Sequence, residues 1–515
     1  MFEEQKSEPW YRSTLGIIIA AILLPPLGLV LVWINSGLVR RKIIATAGIV
    51  LIAIGYVWAF GMLQRWNTRE SHDAELEAHR RQQAAQPAPA TAPAQTATPS
   101  AQPSASPSPQ NPAEAAQAAQ QAAQQSGGRN YWTNFRGPKR DGKYDETPIS
   151  TSWPASGPTA LWKQPVGVGF ASFAIAEGKA YTIEQRRRQE VVAAYDLATG
   201  RELWTQAWSA EYTDGNGDGP RSTPTWDQGR IYALGATGEL RCLDANTGAV
   251  IWGKNILSEN QASNLQWAQA ASPLIVDDKV IVLPGGGGGK SVVAYNKMTG
   301  APVWKALDDR QAYVSPMLVE LGGRRQVVVV SATRVVGLVP ESGALLWSYP
   351  WNTDMGINAS QPIVVDKNRF FISSGYGKGA ALVELKGSGN SFTANTVWEN
   401  TNMKNKFNSS VLHNGYIYGL DEQILVCLDV NTGERKWKEG RYNHGQVVLA
   451  SGHLIITDGA TGDVALVKAS PDKYTEVARF SAVKGQTWNH PALAGGRLLV
   501  RNSTEMAAYD LSAGR

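Results

Sequence analysis

Cysteine is almost missing from this chain of 515 residues, which holds only Cys242 and Cys427. A disulfide framework and a cysteine-based zinc site are thereby excluded. Each cysteine directly precedes Leu-Asp in a repeat, and in a closed ring the two would lie on opposite sides, too far apart to bridge. Histidine is scarce as well, at six residues, and charged residues make up 18%, below the share of about 25% in ordinary soluble chains. The net charge of +5 is small for the length. No basic cluster is interleaved with aromatics, so the footprint of a nucleic-acid partner is lacking. Neither a His-Glu-x-x-His helix, a Gly-x-Ser-x-Gly elbow nor a paired-carboxylate pattern occurs in the repeats.

Long apolar runs are present only near the start. Leu15 to Trp33 and Ile43 to Leu63 carry no charge, and each approaches the roughly 20 residues that cross a bilayer core. Trp10, Tyr11, Trp33, Tyr56, Trp58 and Trp66 flank them as interfacial aromatics do. Pro25 and Pro26 predict a kink in the first span. The expectation is a transmembrane helical hairpin over 1–66, with spans at about 15–33 and 43–63. Arg40, Arg41 and Lys42 between the spans put that loop in the cytoplasm by the positive-inside rule, and both ends outside. Arg65, Arg69, Arg80 and Arg81 pull the other way. Residues 67–128 read as a linker: a charged, Gln-rich start that suits a short solvated helix, then an Ala/Pro/Gln-rich stretch too poor in apolar side chains to build a core. Within it, Ala113 to Gln125 has the composition of a transient helix.

From Tyr131 onward the dominant feature is repetition. Asp196-x-x-Thr199-Gly200-x-x-x-Trp204 recurs as Asp244, Thr247, Gly248, Trp252, again as Asn296, Thr299, Gly300, Trp304, and again as Asp429, Thr432, Gly433, Trp437. Degenerate copies keep Ser342, Gly343 and Trp347, then Trp398 alone, then Phe480. Asp or Asn bonds the backbone two residues on, Gly takes a positive φ, and the next strand ends in an indole able to fill a seam between units. With Trp162 in TALWKQPV, about eight aromatic marks follow one another at the period of about 40 to 50 residues typical of a propeller. RIYALG, KVIVLP, QVVVVS, RFFISS and YIYGLD are short strands between them. The last repeat ends without a fourth strand, and strand 159–166 can supply it. The fold expected is therefore all-β, an eight-bladed β-propeller over 129–515 closed by that early strand, preceded by the helical hairpin and the linker.

Alignment of the blades produces two columns near a recurring proline. One reads Ser172, Thr223, Ser272, Ser315, Gln361, Ser409, Gln446 and His490; two residues upstream stand Phe170, Arg221, Ala270, Tyr313, Ala359, Phe407, His444 and Trp488. The innermost strand of a blade starts beside the central channel, so both columns are expected to ring one mouth. Arg221, Trp267, Gln269, Tyr313, Asn358, Phe407, His444, Trp488 and His490 make a polar and aromatic patch suited to a ligand or peptide. Small polar residues lining a water-filled channel are the plainer account. DGNGDG offers Asp214, Asn216 and Asp218 at alternate positions, as in a calcium loop, but Thr225 stands where the bidentate Glu would be. GGGGGKS imitates a phosphate loop, with Pro284 where its first Gly belongs, and joins two strands.

The Asp-x-x-Thr-Gly-x-x-x-Trp copies, the opening WTNFRGPKRDG (Trp132 to Gly142) and GDGPRSTPTWDQGRIYALGATGELRCLDANTGAVIW (Gly217 to Trp252) resemble the pyrroloquinoline-quinone-like (PQQ-like) propeller family. More closely they are similar to its non-enzymatic branch, which includes the lipoprotein propeller of the outer-membrane-protein assembly machine. The resemblance covers about residues 131–515. Quinoprotein dehydrogenases of the family typically carry a vicinal cysteine pair, and many a Cys-x-x-Cys-His haem site; neither occurs here. The assembly lipoprotein is held by a lipidated N-terminal cysteine, and no cysteine lies near this start. With the two apolar runs supplying the anchor, the resemblance implies an extracytoplasmic scaffold that binds an envelope protein or peptide and needs no cofactor. It would sit in the cytoplasmic (inner) membrane through two helices in lipid, with the propeller facing the periplasm. The alternative it implies is a dehydrogenase holding PQQ and calcium in the central funnel.

Overall fold

The computed structural model describes residues 9, 11, 14–34, 39–85 and 132–513. The linker proper and its Ala113 to Gln125 stretch lie outside the described residues. The chain divides into two compact units, Met1–Glu75 and Leu76–Arg515.

In the first unit the opening apolar run is divided. Helix α1, Thr14–Leu23, stops at Leu24, and α2, Pro25–Ile34, starts at the first proline. A residue before proline is pushed out of the helical region, while proline is at home in a first turn. Gly28 lies against Ala21, where any Cβ would collide with the Ala21 backbone, so α2 folds back on α1. Ala21, Val32 and Ile49 share one apolar cluster. Ten residues rise only about 15 Å, so this run is two short helices where one span was expected. Helix α3, Val39–Ala85, is 47 residues long. By length and composition it is the described helix long enough and apolar enough to cross a membrane. It runs on through the segment expected to be a separate solvated helix.

The second unit is a ring of eight sheets. Blade one spans 174–209, blade two 225–255, blade three 274–306, blade four 317–350, blade five 363–400, blade six 411–441 and blade seven 446–481. Blade eight takes its three inner strands from 492–510 and its outer strand from Thr159–Pro165, which pairs antiparallel with Glu505–Asp510. A ring closed this way leaves no blade with a strand missing. The β-rich runs of the sequence, such as Arg230–Leu234 and Tyr416–Asp421, are the second strands of their blades.

The tryptophan of the repeat motif joins six of the blades to the next. In the turn, Asp244 Oδ1 accepts from the Asn246 and Thr247 amides and the Thr247 hydroxyl at 2.8 to 3.0 Å. Gly248 follows at φ +73°, and the Trp204 ring of the preceding blade lies on it. Trp204 Nε1 donates to Ala245 O of that same turn at 3.1 Å. Trp162, Trp252, Trp304, Trp398 and Trp437 repeat the bond onto Leu197, Lys297, Pro340, Val430 and Ser470 at 2.9 to 3.1 Å. The degenerate copies have physical reasons. Blade five carries a long hairpin in place of a Thr-Gly turn, so Trp347 bonds Gln326 of its own blade at 2.5 Å. In blade seven Phe480 lies over Gly157 and edge-on to Trp153 and Tyr509.

Cys242 and Cys427 are free and buried, in blades two and six. Burial pushes their thiols up to about 11 and about 12, so both stay protonated and inert. The GGGGGKS segment is a hairpin loop bridged from Gly286 to Lys290.

The seam predicts a difference between two glycines of equal φ. Gly178, at φ +73°, has open space around it, so Gly178→Ala costs about 1 kcal/mol for the backbone alone. Gly248→Ala must also displace the Trp204 indole and is expected to cost roughly 3 kcal/mol. Thermal unfolding of the two variants reads the difference; equal shifts would remove the indole contact as a determinant.

Candidate functional site

The first sequence column is a girdle of hydrogen bonds between blades. The Ser172 amide donates to Thr223 Oγ1 at 2.9 Å, Thr223 to Ser272 Oγ at 3.0 Å, and Ser272 to Ser315 Oγ at 2.8 Å. Ser315 then donates to Gln361 Oε1 at 2.8 Å and Gln361 to Ser409 Oγ at 3.0 Å. Gln446 Nε2 donates to the Phe407 and Trp488 carbonyls, and the Ser172 hydroxyl to His490 O. All eight residues of the column are buried. They satisfy amides at the starts of inner strands, where the backbone has no ladder partner. The small polar residues thus clasp the ring, and do not line an open water channel.

Behind the girdle the channel is filled by the chain's own opening segment. Trp132 pairs with Ile175 of blade one, the Thr133 carbonyl accepts from the Trp226 amide of blade two, and Lys143–Tyr144 lies parallel to the inner strand of blade seven. Between these points two buried arginines reach across the axis. Arg140 Nη1 donates to Ser272 O at 3.1 Å and Pro316 O at 2.8 Å, and its Nη2 to Pro273 O. Arg136 Nη2 donates to Ser410 O at 2.8 Å and Nη1 to Ser409 O at 3.4 Å. Burial pulls them down to about 10 for Arg136 and about 9 for Arg140, still charged at neutral pH. Neither arginine was singled out from the repeat pattern. They stand before the first repeat, and only ring closure aims them at the axis.

The second column forms the mouth. Phe170, Arg221, Tyr313, Phe407, His444 and Trp488 are all half-buried. The rings form a continuous arc: His444 to Phe407 at 5.3 Å, Phe407 to Trp488 at 4.7 Å, Trp488 to Phe170 at 5.7 Å. The Arg221 guanidinium continues it, 5.3 Å over Phe170 and 4.4 Å over Tyr212. Tyr212 Oη donates to Gln266 O at 2.6 Å, beside Trp267, whose ring lies 5.6 Å from Tyr313.

Three residues expected in this patch are not offered to a ligand. Gln269 and Asn358 are buried, and Asn358 is bonded to Ser331 O and Ser374 Oγ. His490 faces the filled channel, edge-on to Phe135. A carbonyl can only accept, so His490 Nδ1–H donates to Pro491 O at 2.7 Å, and Nε2 accepts from Arg136 at 3.3 Å. Burial first, then the Arg136 charge, holds His490 well below the usual imidazole range. His444 belongs to the mouth instead, against Gln423, so the two histidines do not meet at one centre.

The candidate calcium loop is closed on itself. Asp214 Oδ1 accepts from the Asn216 amide and Asp218 Oδ1 from the Asp214 amide. The carbonyls of Gly217 and Gly219 accept from the Arg221 guanidinium, which brings to the loop the positive charge a cation would bring. Among the described residues no group of three or more His, Cys, Asp or Glu is placed to hold a metal.

A quinone with a divalent cation needs acidic ligands on a flat aromatic floor. The mouth's two columns contain no Asp or Glu, its floor is the girdle, and the nearby Glu190 is buried beneath Trp208 Nε1 and the Ala236 amide. The residues present do not fit that group.

Fold and mouth together define the class: an eight-bladed propeller of PQQ-like repeats whose channel is filled by its own chain. The family model that matches residues 188–439, just under half of the chain, is described as Outer membrane protein assembly factor BamB. The Outer membrane protein assembly factor BamB of Shewanella oneidensis is 26% identical over 162 residues, 28% of this chain. The match spans 36% of that protein's length. The crystal structure of BamB from Moraxella catarrhalis superposes with a TM-score of 0.50 at 18% identity, over 69% of this chain and 98% of that one. A quinohemoprotein alcohol dehydrogenase from Comamonas testosteroni gives 0.53 at 13% identity, over 75% and 81%. These two likenesses are of fold.

The neutral, buried His490 sets a pH dependence. Its folded pKa lies below its unfolded value of about 6.5, so the unfolded chain takes up the extra proton. Its contribution is fully present above about pH 6.5 and is lost as pH falls below it, at up to about 1.4 kcal/mol per pH unit. His490→Gln keeps an acceptor for Arg136 and is expected to unfold with a shallower loss of stability between pH 6.5 and 5. An unchanged slope in denaturant titrations would show that His490 is not the group responsible.

Proposed function

We propose that this chain is a membrane-anchored, extracytoplasmic scaffold whose propeller mouth receives a protein or peptide partner in envelope protein assembly. The observation that carries the reading is the arc of half-buried rings over a sealed floor. Aromatics so placed offer large contact area at small entropic cost, as partner-binding surfaces do. His444 is the imidazole of the arc, and its side-chain partner is Gln423, not a carboxylate that would orient it as a general base. The family model's description and the relatives' names support assembly as the setting.

In this reading residues 1–66 anchor the chain in the inner membrane, 67–128 give reach, and the propeller lies on the periplasmic side. The exposed Leu51, Val57, Trp58 and Phe60 of α3 support a lipid partner. Phe407, Trp488, Trp267 and Tyr313 are the contacts proposed for the partner, with Arg221 and the loop 214–219 holding the arc's edge.

Two outcomes are expected. Phe407→Ala with Trp488→Ala reduces capture of a partner at least tenfold at unchanged thermal midpoint, whereas undiminished capture would remove the mouth as the site. In spheroplasts the propeller is expected to be digested by added protease; protection until lysis would put it in the cytoplasm.

A further inference from the structure

The outer strand of every blade is interrupted at one equivalent point. The pairing register shifts just before the tryptophan in seven blades and just before Ala478 in blade seven, leaving one residue unpaired. Such a bulge turns a side chain away from the ladder. Leu161, Leu203, Ile251, Val303, Val397 and Val477 hold this place, each 37 to 46% exposed. The fold does not require an aliphatic residue there, because the charged Lys436 fills the same position in blade six.

Blade four departs from the pattern: its bulge residue, Leu346, is only 5% exposed. The chain covers it with the long hairpin of blade five. Phe392 of that hairpin joins Leu346, Trp347, Tyr349 and Leu385 in one apolar cluster. Tyr349 Oη and Thr396 Oγ1 lie 2.9 Å apart, and Arg324 Nη1 donates to Gly389 O at 2.8 Å. Among the described residues no backbone ladder joins the two blades. The contact is made by side chains, and the covering segment, 387–397, is uncharged with a single aromatic.

We propose that the propeller's rim is a docking surface for a partner protein's β-hairpin of the same chemistry: extended, uncharged, with one aromatic that packs on the aliphatic bulges. The chain's own hairpin on blade four is the bound form of that contact. Blades two and three are the principal sites. There Val250 beside Ile251, and Val303, are exposed at 45, 43 and 45%. Blades eight and one already carry a segment of the chain, through Gln83 on Gln164 and Arg80 on Glu202. The rim is separate from the mouth, and this inference stands without the reading given to the mouth.

The test uses the purified full-length chain in detergent and a fluorescent peptide of residues 387–397, read by anisotropy. Saturable binding is expected. Ile251→Lys with Val303→Lys in the protein, or Phe392→Ser in the peptide, is expected to weaken it at least fivefold. Lys436→Leu, which adds an aliphatic bulge to blade six, is expected to strengthen it at least twofold. Absence of saturable binding would overturn the proposal, as would binding indifferent to the rim lysines or lost on Trp488→Ala. If the double lysine variant melts early, Lys436→Leu decides alone, and no gain from it counts against the rim.

Discussion

In five of the eight blades the indole lies on a glycine of the next blade's turn, and the ring depends on that contact. Trp204 illustrates why neither partner can change alone. Its ring occupies the space where a Cβ of Gly248 would stand, and its N–H is used up on the Ala245 carbonyl of the same turn. A buried indole without an acceptor would lose much of what its area contributes. The turn is in turn shaped by Asp244 and Thr247, so a motif that looks like a site is a joint. Where the joint is missing the chain compensates locally: Gln326 accepts from Trp347, and Phe480 finds Gly157.

Around the axis a second constraint operates, and it is polar. Eight inner strands start near one another with amides that no ladder uses, and the girdle of Ser, Thr and Gln side chains answers them. Arg136 and Arg140 then bind the carbonyls that remain. Burying two guanidinium groups is costly, and the structure offsets it with charge-assisted bonds to several blades at once. The same packing makes the mouth shallow, since its floor is protein, and leaves aromatic faces as its principal resource.

The propeller was legible from the sequence because its signal is local and repeated: turn chemistry, glycine and tryptophan recur at one spacing. The closing strand was legible too, from a final repeat one strand short. The candidate site was legible only in part. Phe407, Trp488, Tyr313 and Arg221 were found by alignment of blades, but Gln269, Asn358 and His490 shared that neighbourhood in sequence and turned inward. Exposure depends on what fills the channel, and nothing in the segment 132–144 announces that it will. At the other end of the chain, hydropathy found the apolar runs and the proline pair announced a kink, which the fold turns into a full break at Leu24 because Gly28 lets the second helix pack back on Ala21.

The pairing of Thr159–Pro165 with Glu505–Asp510 also sets an order in time. The first strand of the ring to leave the ribosome must wait for the last one before it has a neighbour, with about 340 residues synthesised between them. Blades one to seven can each form as local units as they emerge, since their strands follow one another. Blade eight cannot. The ring therefore locks only once Glu505–Asp510 has emerged and can pair with Thr159–Pro165.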